Sequence, residues 1–154
     1  MKIYKLKKEQ LIKKNILEVF DFFSKPENLA VLTPEKMQFN ILTPSPIEMK
    51  SGALIDYTVK VLGIPIRWTT YISKYEPPNM FVDQQLKGPY SLWHHTHIFK
   101  KINNHETMME DIVLYGIPFG FLGVIAHEMY VKHDLEKIFL YRNKKINEVF
   151  KNIK

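Results

Sequence analysis

The chain of 154 residues contains no cysteine and carries a formal net charge of +6 at pH 7. Its length suits a single domain over residues 1–154, and the absence of cysteine excludes disulfides, thiolate nucleophiles and cysteine-based zinc sites. The lysines are scattered along the chain, which favours a solvated basic surface over nucleic-acid binding, so no nucleic-acid partner is expected.

The first residues alternate charged and apolar side chains. They contain no uninterrupted apolar stretch typical of a signal peptide, and no later segment approaches the length of a membrane span. We therefore expect a cytoplasmic protein without a membrane span. The sequence leaves its oligomeric state open.

The predicted elements begin with one strand and two short helices. A strand is predicted over residues 2–12, where apolar residues recur at even positions. The apolar spacing becomes helical from Asn15, whose side chain is available to cap the first turn, and Pro26 ends this helix. A second short helix fits residues 27–32, between two prolines.

A run of strands and one long helix complete the chain. Stretches rich in β-branched and aromatic residues predict strands over residues 37–42, 53–62, 66–75, 80–86, 91–102 and 107–115. The short connections between them contain Gly, Pro or Asn and indicate antiparallel neighbours. From about residue 121 to residue 153 an apolar stripe predicts a long C-terminal helix, which covers the sheet in an α+β fold.

Motifs spread over nearly the whole chain carry a family resemblance. They include the stretches at residues 20–23, 26–29, 68–70, 81–85, 88–99, 111–115 and 138–142. In these motifs the chain resembles the SRPBCC or START-like superfamily, and more narrowly its small bacterial cyclase/dehydrase-like members. The resemblance implies the helix-grip fold, in which a curved antiparallel sheet of about six to seven strands wraps around the long C-terminal helix. A cavity between sheet and helix is the shared feature of this superfamily.

Strand alternation gathers polar and aromatic side chains on one face of the predicted sheet. That face collects Trp68, Thr70, Asp83, Gln85, Trp93, His95, His97, Asp111 and Tyr115. Burying such polar groups without partners costs about 1 to 3 kcal/mol each, so the face must be hydrogen-bonded internally, hydrated or in contact with a ligand. The alternative that this face lies in solvent stays open, because the opposite face is itself apolar.

The hairpin turns also predict a register for this face. The expected neighbours are Asp83 and His95, His97 and Asp111, Trp93 and Gln85, Trp93 and Tyr115, Trp68 and Gln85, and Thr70 and Asp83. Two Asp–His pairs can satisfy the buried groups. A metal site formed by His95, His97, Asp83 and Asp111 is an alternative, but the two pairs explain these residues without a metal, so no metal or cofactor is expected.

Arg142 is a further informative residue, because it lies on the apolar stripe of the C-terminal helix. Its guanidinium either points into the cavity, where it needs a carboxylate or a ligand anion, or extends to the edge of the helix. The predicted cavity walls are Trp68, Phe81, Trp93, Phe99, Tyr115, Ile138 and Phe139. The predicted polar end is formed by Asp83, His95, His97, Asp111 and Arg142.

These patterns leave three functional hypotheses. The first is a protein that binds a lipid-like, aromatic or polyketide-like small molecule in the cavity. The second is an enzyme of the cyclase or dehydratase type, in which His95 or His97, oriented by Asp83 or Asp111, acts as general acid–base. The third is a regulatory protein that contacts a macromolecular partner. Because the superfamily includes both binding proteins and enzymes, the resemblance does not decide whether the chain is catalytic.

Overall fold

A seven-stranded antiparallel sheet is the main layer of the structure, a computed structural model that describes residues 1–151. The strands are β1 (Ile3–Ile12), β2 (Asn40–Ile41), β3 (Leu54–Val61), β4 (Ile64–Glu76), β5 (Met80–Lys87), β6 (Leu92–Asn103) and β7 (Glu106–Gly116). Their order across the sheet is β1-β7-β6-β5-β4-β3-β2, and every neighbouring pair is antiparallel. Only β1 leaves the order of the sequence, because it pairs with the last strand.

Two short helices follow β1, and a long helical segment follows β7. The helices are α1 (Ile16–Phe23), α2 (Leu29–Leu32), α3 (Gly120–Ala126) and α4 (Lys132–Lys151), and a π-helical turn at His127–Val131 joins the last two. Helix α1 begins where predicted because the Asn15 side chain accepts a hydrogen bond of 3.0 Å from the backbone N–H of Glu18. The α+β fold is confirmed. The predicted helix end at residue 153 lies outside the described residues.

One predicted strand is much shorter than expected. Of residues 37–42, only Asn40–Ile41 pair as a strand. A 3₁₀ turn at Glu35–Met37 comes before it, and Gln38 adopts a left-handed backbone conformation with a φ of 45°. Because a left-handed residue cannot continue an extended chain, the strand begins only after Gln38.

Helix α4 buries one stripe of side chains against the sheet. The buried residues are Leu135, Phe139, Arg142, Ile146 and Phe150. Their spacing of three or four positions keeps them on one side of the helix. The sequence pattern predicts a stripe of Val131, Leu135, Ile138, Ile146 and Val149. Of these, Val131, Ile138 and Val149 are only partly buried, so the observed stripe is rotated from the predicted one. No helix within residues 1–151 is both long and apolar enough to cross a membrane.

Two apolar cores lie at opposite ends of α4. The first is aromatic and includes Phe20, Phe23, Phe81, Phe99 and Phe150. Some of its rings pack edge to face, as in the pair of Phe20 and Phe99, whose ring centres are 5.4 Å apart, and others are stacked, as in the pair of Phe81 and Phe99. The second core contains Val113, Tyr115, Leu135 and Phe139. Strand β6 runs from one core to the other, so its polar residues His95 and His97 lie between them.

Candidate functional site

A cavity of about 210 Å³ lies between the sheet and helix α4 and is partly open to solvent. Most of its wall is apolar. The predicted site residues that line it are Trp68, Thr70, Phe81, Asp83, Trp93, His95, His97, Ile138, Phe139 and Arg142. The face of β6 that carries His95 and His97 is therefore the inward face, and the alternative that it lies in solvent is wrong.

Further lining residues come from elements whose inward side the sequence analysis did not assign. Alternate residues of β3 contribute, namely Ile55, Tyr57, Val59 and Val61. This period of two is the signal of a strand with one buried face, so alternation within the predicted strand at 53–62 would have found them. Helix α2 and the residue after it add Leu29, Leu32 and Thr33, for which no comparable signal exists in so short a segment.

Gln85 and Phe99 do not line the cavity, contrary to the prediction. The Gln85 amide binds the backbone of Tyr90, donating from Nε2 to the carbonyl oxygen at 2.8 Å and accepting from the N–H at 3.1 Å. Phe99 is 2% exposed and packs against Phe20 and Phe81 in the aromatic core. Both residues support the framework of the site without forming its surface.

Tyr115 and Asp111 also lie outside the cavity lining, contrary to the prediction. The Tyr115 hydroxyl is 2.8 Å from Nε2 of the buried His127, which lies in the π-helical turn and stacks on Tyr4. Asp111 instead contacts the cavity-lining His95, with 2.7 Å between Oδ1 and the imidazole Nε2. Asp111 can therefore act on the cavity through His95.

Five ionisable residues, here called the polar cluster, meet on the inward face of the sheet: Asp83, His95, His97, Asp111 and Arg142. The predicted register is confirmed, since Asp83 is paired with His95 and His97 with Asp111. The shortest side-chain contacts, however, are between residues diagonal to each other on neighbouring strands. His95 Nε2 lies 2.7 Å from Asp111, and His97 Nε2 lies 2.5 Å from Asp83. The two imidazole rings stack with their centres 3.7 Å apart.

The register predicted between β4 and β5 is wrong. Thr70 is paired with Gln85 instead of Asp83, and Asp83 is opposite Ile72. The hairpin closes with Glu76 opposite Met80. The pairing then shifts by one residue at Ser73, so that Lys74 is opposite Val82 but Ile72 is opposite Asp83. Thr70 still faces the cavity.

The Arg142 side chain points inward and is 7% exposed, so the alternative that it extends to the helix edge is wrong. Its Nη2 atom lies 3.5 Å from Asp111 Oδ1, and its guanidinium lies 5.3 Å from the centre of the Phe23 ring. The internal carboxylate partner of Arg142 is thus Asp111. Neither Nε nor Nη2 makes a hydrogen bond to any residue in the described part of the chain.

Burial and neighbouring charges shift the pKa values of the two histidines in opposite directions. Burial and the adjacent His97 lower the pKa of His95, although Asp83 and Asp111 act against this shift. Burial also favours the neutral form of His97, but its contacts with Asp111 and Asp83 outweigh burial and raise its pKa. His95 is therefore the better proton acceptor at neutral pH, and His97 is the better proton donor.

Both acids of the polar cluster stay ionised. Burial alone would raise the pKa of Asp111, but the Arg142 guanidinium and the contacts with His95 and His97 hold it well below its usual value. The pKa of Asp83 is also lowered, because His95, His97 and Arg142 together outweigh burial. The cluster thus combines two carboxylates with one permanent cation.

Asp83, His95 and His97 are also arranged so that they can hold a metal ion. One ligand atom from each lies within 4.8 Å of the others, and imidazole and carboxylate ligands suit divalent metals. The Nε2 atoms of both imidazoles already have carboxylate partners, which are Asp111 for His95 and Asp83 for His97. Arg142 adds a positive charge beside Asp111, which opposes a further cation. The geometry of the polar cluster is therefore explained without a metal.

Solved structures of other proteins share this architecture at low sequence identity. The Zhui aromatase/cyclase from Streptomyces sp. R1128 matches with a TM-score of 0.78 and 14% identity, over 97% of this chain and 94% of that chain. A START superfamily protein from Mycobacterium smegmatis matches with a TM-score of 0.69 and 9% identity, over 94% of this chain and 98% of that chain. The chain has the START-like helix-grip fold.

The START-like fold of this chain also occurs in a plant enzyme. Norcoclaurine synthase from Thalictrum flavum, solved as a point mutant in complex with a transition-state analogue, matches with a TM-score of 0.65 and 12% identity, over 95% of each chain. No protein-family model matches the sequence, and no curated protein matches it significantly. The similarity therefore establishes the fold and not the activity.

Proposed function

We propose that the protein binds a hydrophobic small molecule in the cavity between the sheet and α4. The observation that carries this proposal is a mostly apolar cavity with a group of buried polar residues at one place in its wall. This is the usual composition of a small-molecule site, in which apolar walls provide affinity and a few polar groups orient the ligand. The aromatase/cyclase and the norcoclaurine synthase with the same fold lend support, since the synthase was solved in complex with a transition-state analogue.

Intrinsic fluorescence gives a direct test, because Trp68 and Trp93 are the two tryptophans of the chain and both line the cavity. We expect saturable quenching of tryptophan emission when N-phenyl-1-naphthylamine, an uncharged aromatic probe, is titrated into the protein. A ligand at roughly 100 times its Kd should also raise the Tm by about 5 to 10 °C. Absence of both effects across a panel of aromatic and lipid-like molecules would refute the proposal.

A pair of substitutions on α4 locates the binding site. Ile138 lines the cavity, whereas Leu140 is 72% exposed on the same helix. Ile138→Phe fills part of the cavity and should weaken binding of the probe by about tenfold. Leu140→Phe makes the same kind of change in solvent and should leave the affinity unchanged. Equal effects of the two substitutions would place the probe elsewhere.

A second candidate function is acid–base catalysis on the bound molecule. It is favoured by the stacked His95 and His97, whose pKa values shift in opposite directions, and by the carboxylates that orient them. Exchange of the methyl protons of 2-acetylnaphthalene in D₂O, followed by NMR, tests it. We expect the wild-type protein to accelerate exchange, and His95→Gln to abolish the acceleration while the ketone still binds. A bound ketone that exchanges at the solvent rate would exclude this function.

A further inference from the structure

Among residues 1–151, the charged groups around the cavity leave no surplus positive charge for an anionic ligand. The fixed charges of the polar cluster are the two carboxylates and the Arg142 guanidinium, which already lies beside Asp111. Lys25 and Asp134, which also line the cavity, carry opposite charges and are more exposed. A positive total would need protons on both imidazoles, whose stacked rings are only 3.7 Å apart. Two charges at that distance in a buried site repel each other strongly.

Two residues that line the cavity carry hydrogen-bond donors with no acceptor among the described residues. These donors are Nε1 of Trp68 and the Nε and Nη2 atoms of Arg142, and each is buried without a hydrogen-bond partner in residues 1–151. Trp68 is enclosed by Tyr57, Tyr90 and Trp93, whose ring centres lie 5.6 to 5.9 Å away. A buried donor without a partner is costly, so a ligand that supplies an acceptor gains more than one that does not.

The volume of the cavity sets the size of the molecule. Engineered protein cavities of about 150 Å³ hold a single benzene ring. The 210 Å³ of this cavity therefore suits an aromatic body of about two fused rings, and the opening to solvent leaves room for a longer substituent. The aromatic residues Trp68, Trp93 and Phe81 in the wall favour a flat ring system.

We propose that the ligand is an uncharged bicyclic or larger aromatic molecule with a hydrogen-bond acceptor such as a carbonyl group, and that Trp68 donates to this acceptor. This inference rests on the proposed binding function and makes it more specific. It predicts selection against carboxylates, because ionised groups lose their hydration on entering the cavity without gaining a free cation. The Trp68 indole is the specificity-determining group of the site, and the Arg142 guanidinium is a second donor.

Three naphthalenes with the same number of non-hydrogen atoms test the charge of the ligand. They are 2-acetylnaphthalene, 2-naphthoate and 2-isopropylnaphthalene, each measured by displacement of N-phenyl-1-naphthylamine at about pH 8, where the naphthoate carboxyl is ionised. We expect the ketone to bind at least tenfold more tightly than the naphthoate. Equal or tighter binding of the naphthoate would overturn the inference. Failure of all three to displace a bound probe would also overturn it, whereas failure of the probe and of the whole panel of aromatic and lipid-like molecules to bind refutes the proposed function.

Matched substitutions test the donor. Trp68→Phe keeps an aromatic ring but removes Nε1, so the ketone should bind about five- to tenfold more weakly while the affinity for 2-isopropylnaphthalene stays within about twofold. Leu140→Phe, on the exposed face of α4, is the control and should leave the ketone-to-hydrocarbon ratio unchanged. Arg142→Lys retains a positive charge beside Asp111 and should lower the same ratio. If Trp68→Phe leaves the ratio unchanged in folded protein, Trp68 is not the donor and the inference fails, whatever the effect of Arg142→Lys.

Discussion

The Asp111 carboxylate is a buried acid in contact with both His95 and Arg142. It lies 2.7 Å from His95 and 3.5 Å from Arg142, and both Asp111 and Arg142 are buried. Removing one partner of a buried ion pair leaves the other charge uncompensated. We therefore expect Asp111→Asn to lower the free energy of unfolding by about 3 kcal/mol, measured by urea denaturation at about pH 7.

Asp56 provides the matched control for this substitution. It forms an ion pair of 3.1 Å with Arg67, but the side chains are 34% and 56% exposed. Exposed ion pairs contribute no more than about 1 kcal/mol. Asp56→Asn should therefore cost much less than Asp111→Asn. Similar losses for the two variants would show that the contact of Asp111 with Arg142 does not stabilise the fold.

His97 gives the protein a pH-dependent contribution to stability. Its pKa in the folded protein is raised above the unfolded value of about 6.5, so its proton stabilises the fold below that pH. The contribution is lost as the pH rises through the higher folded pKa. The difference in free energy of unfolding between the wild type and His97→Gln should therefore shrink between about pH 6 and pH 9. A difference that grows with pH would contradict the assigned direction.

In this site, strand alternation predicts which backbone positions are paired but does not predict the side-chain contacts. Alternation and turn lengths correctly paired the backbone positions of Asp83 with His95 and of His97 with Asp111. They did not predict that each imidazole contacts the acid diagonal to it. Diagonal neighbours on a sheet are within reach of long side chains, so the choice depends on side-chain rotamers that the residue pattern does not specify.

The start of helix α3 packs closely against the preceding turn at Gly123, where there is no room for a side chain. A Cβ atom at Gly123 would lie 2.2 Å from the carbonyl oxygen of Pro118. In an unconstrained helix, Gly→Ala is stabilising by about 1 kcal/mol. Here we expect Gly123→Ala to lower the Tm instead, because the backbone must move. Asn143→Ala on the exposed face of α4 is the control and should leave the Tm unchanged or slightly higher; a higher Tm for both would disprove the steric constraint.

Element types were predictable, whereas element details that depend on the backbone were not. Turn residues and periodicity located the long strands and the C-terminal helix. The left-handed Gln38 shortened β2, and the hairpin that closes with Glu76 opposite Met80 gave β5 a different register against β4 from the predicted one. The π-helical turn at His127–Val131 was also missed. Such features depend on how neighbouring elements pack, so the local sequence pattern does not predict them.

The prediction of a single domain over residues 1–154 can be tested by whether urea unfolds the sheet and the helices together. Trp68 and Trp93 report on the cavity, while far-UV circular dichroism reports mainly on the helical segment that covers the sheet. If sheet and helices form one cooperative unit, both signals should show the same urea midpoint. Two separate midpoints would mean that the C-terminal helix unfolds independently and that the domain is not one unit.

The two outer strands determine whether the sheet can pair with a strand of another molecule. The outer strand β1 carries Lys2 just before it and Lys5, Lys7 and Lys8 within it, and the opposite outer strand, β2, spans only Asn40–Ile41. Lysine-rich or very short edges are poor templates for a strand from a second molecule. Edge-to-edge pairing with a second molecule is thereby disfavoured at both outer strands of the seven-stranded sheet.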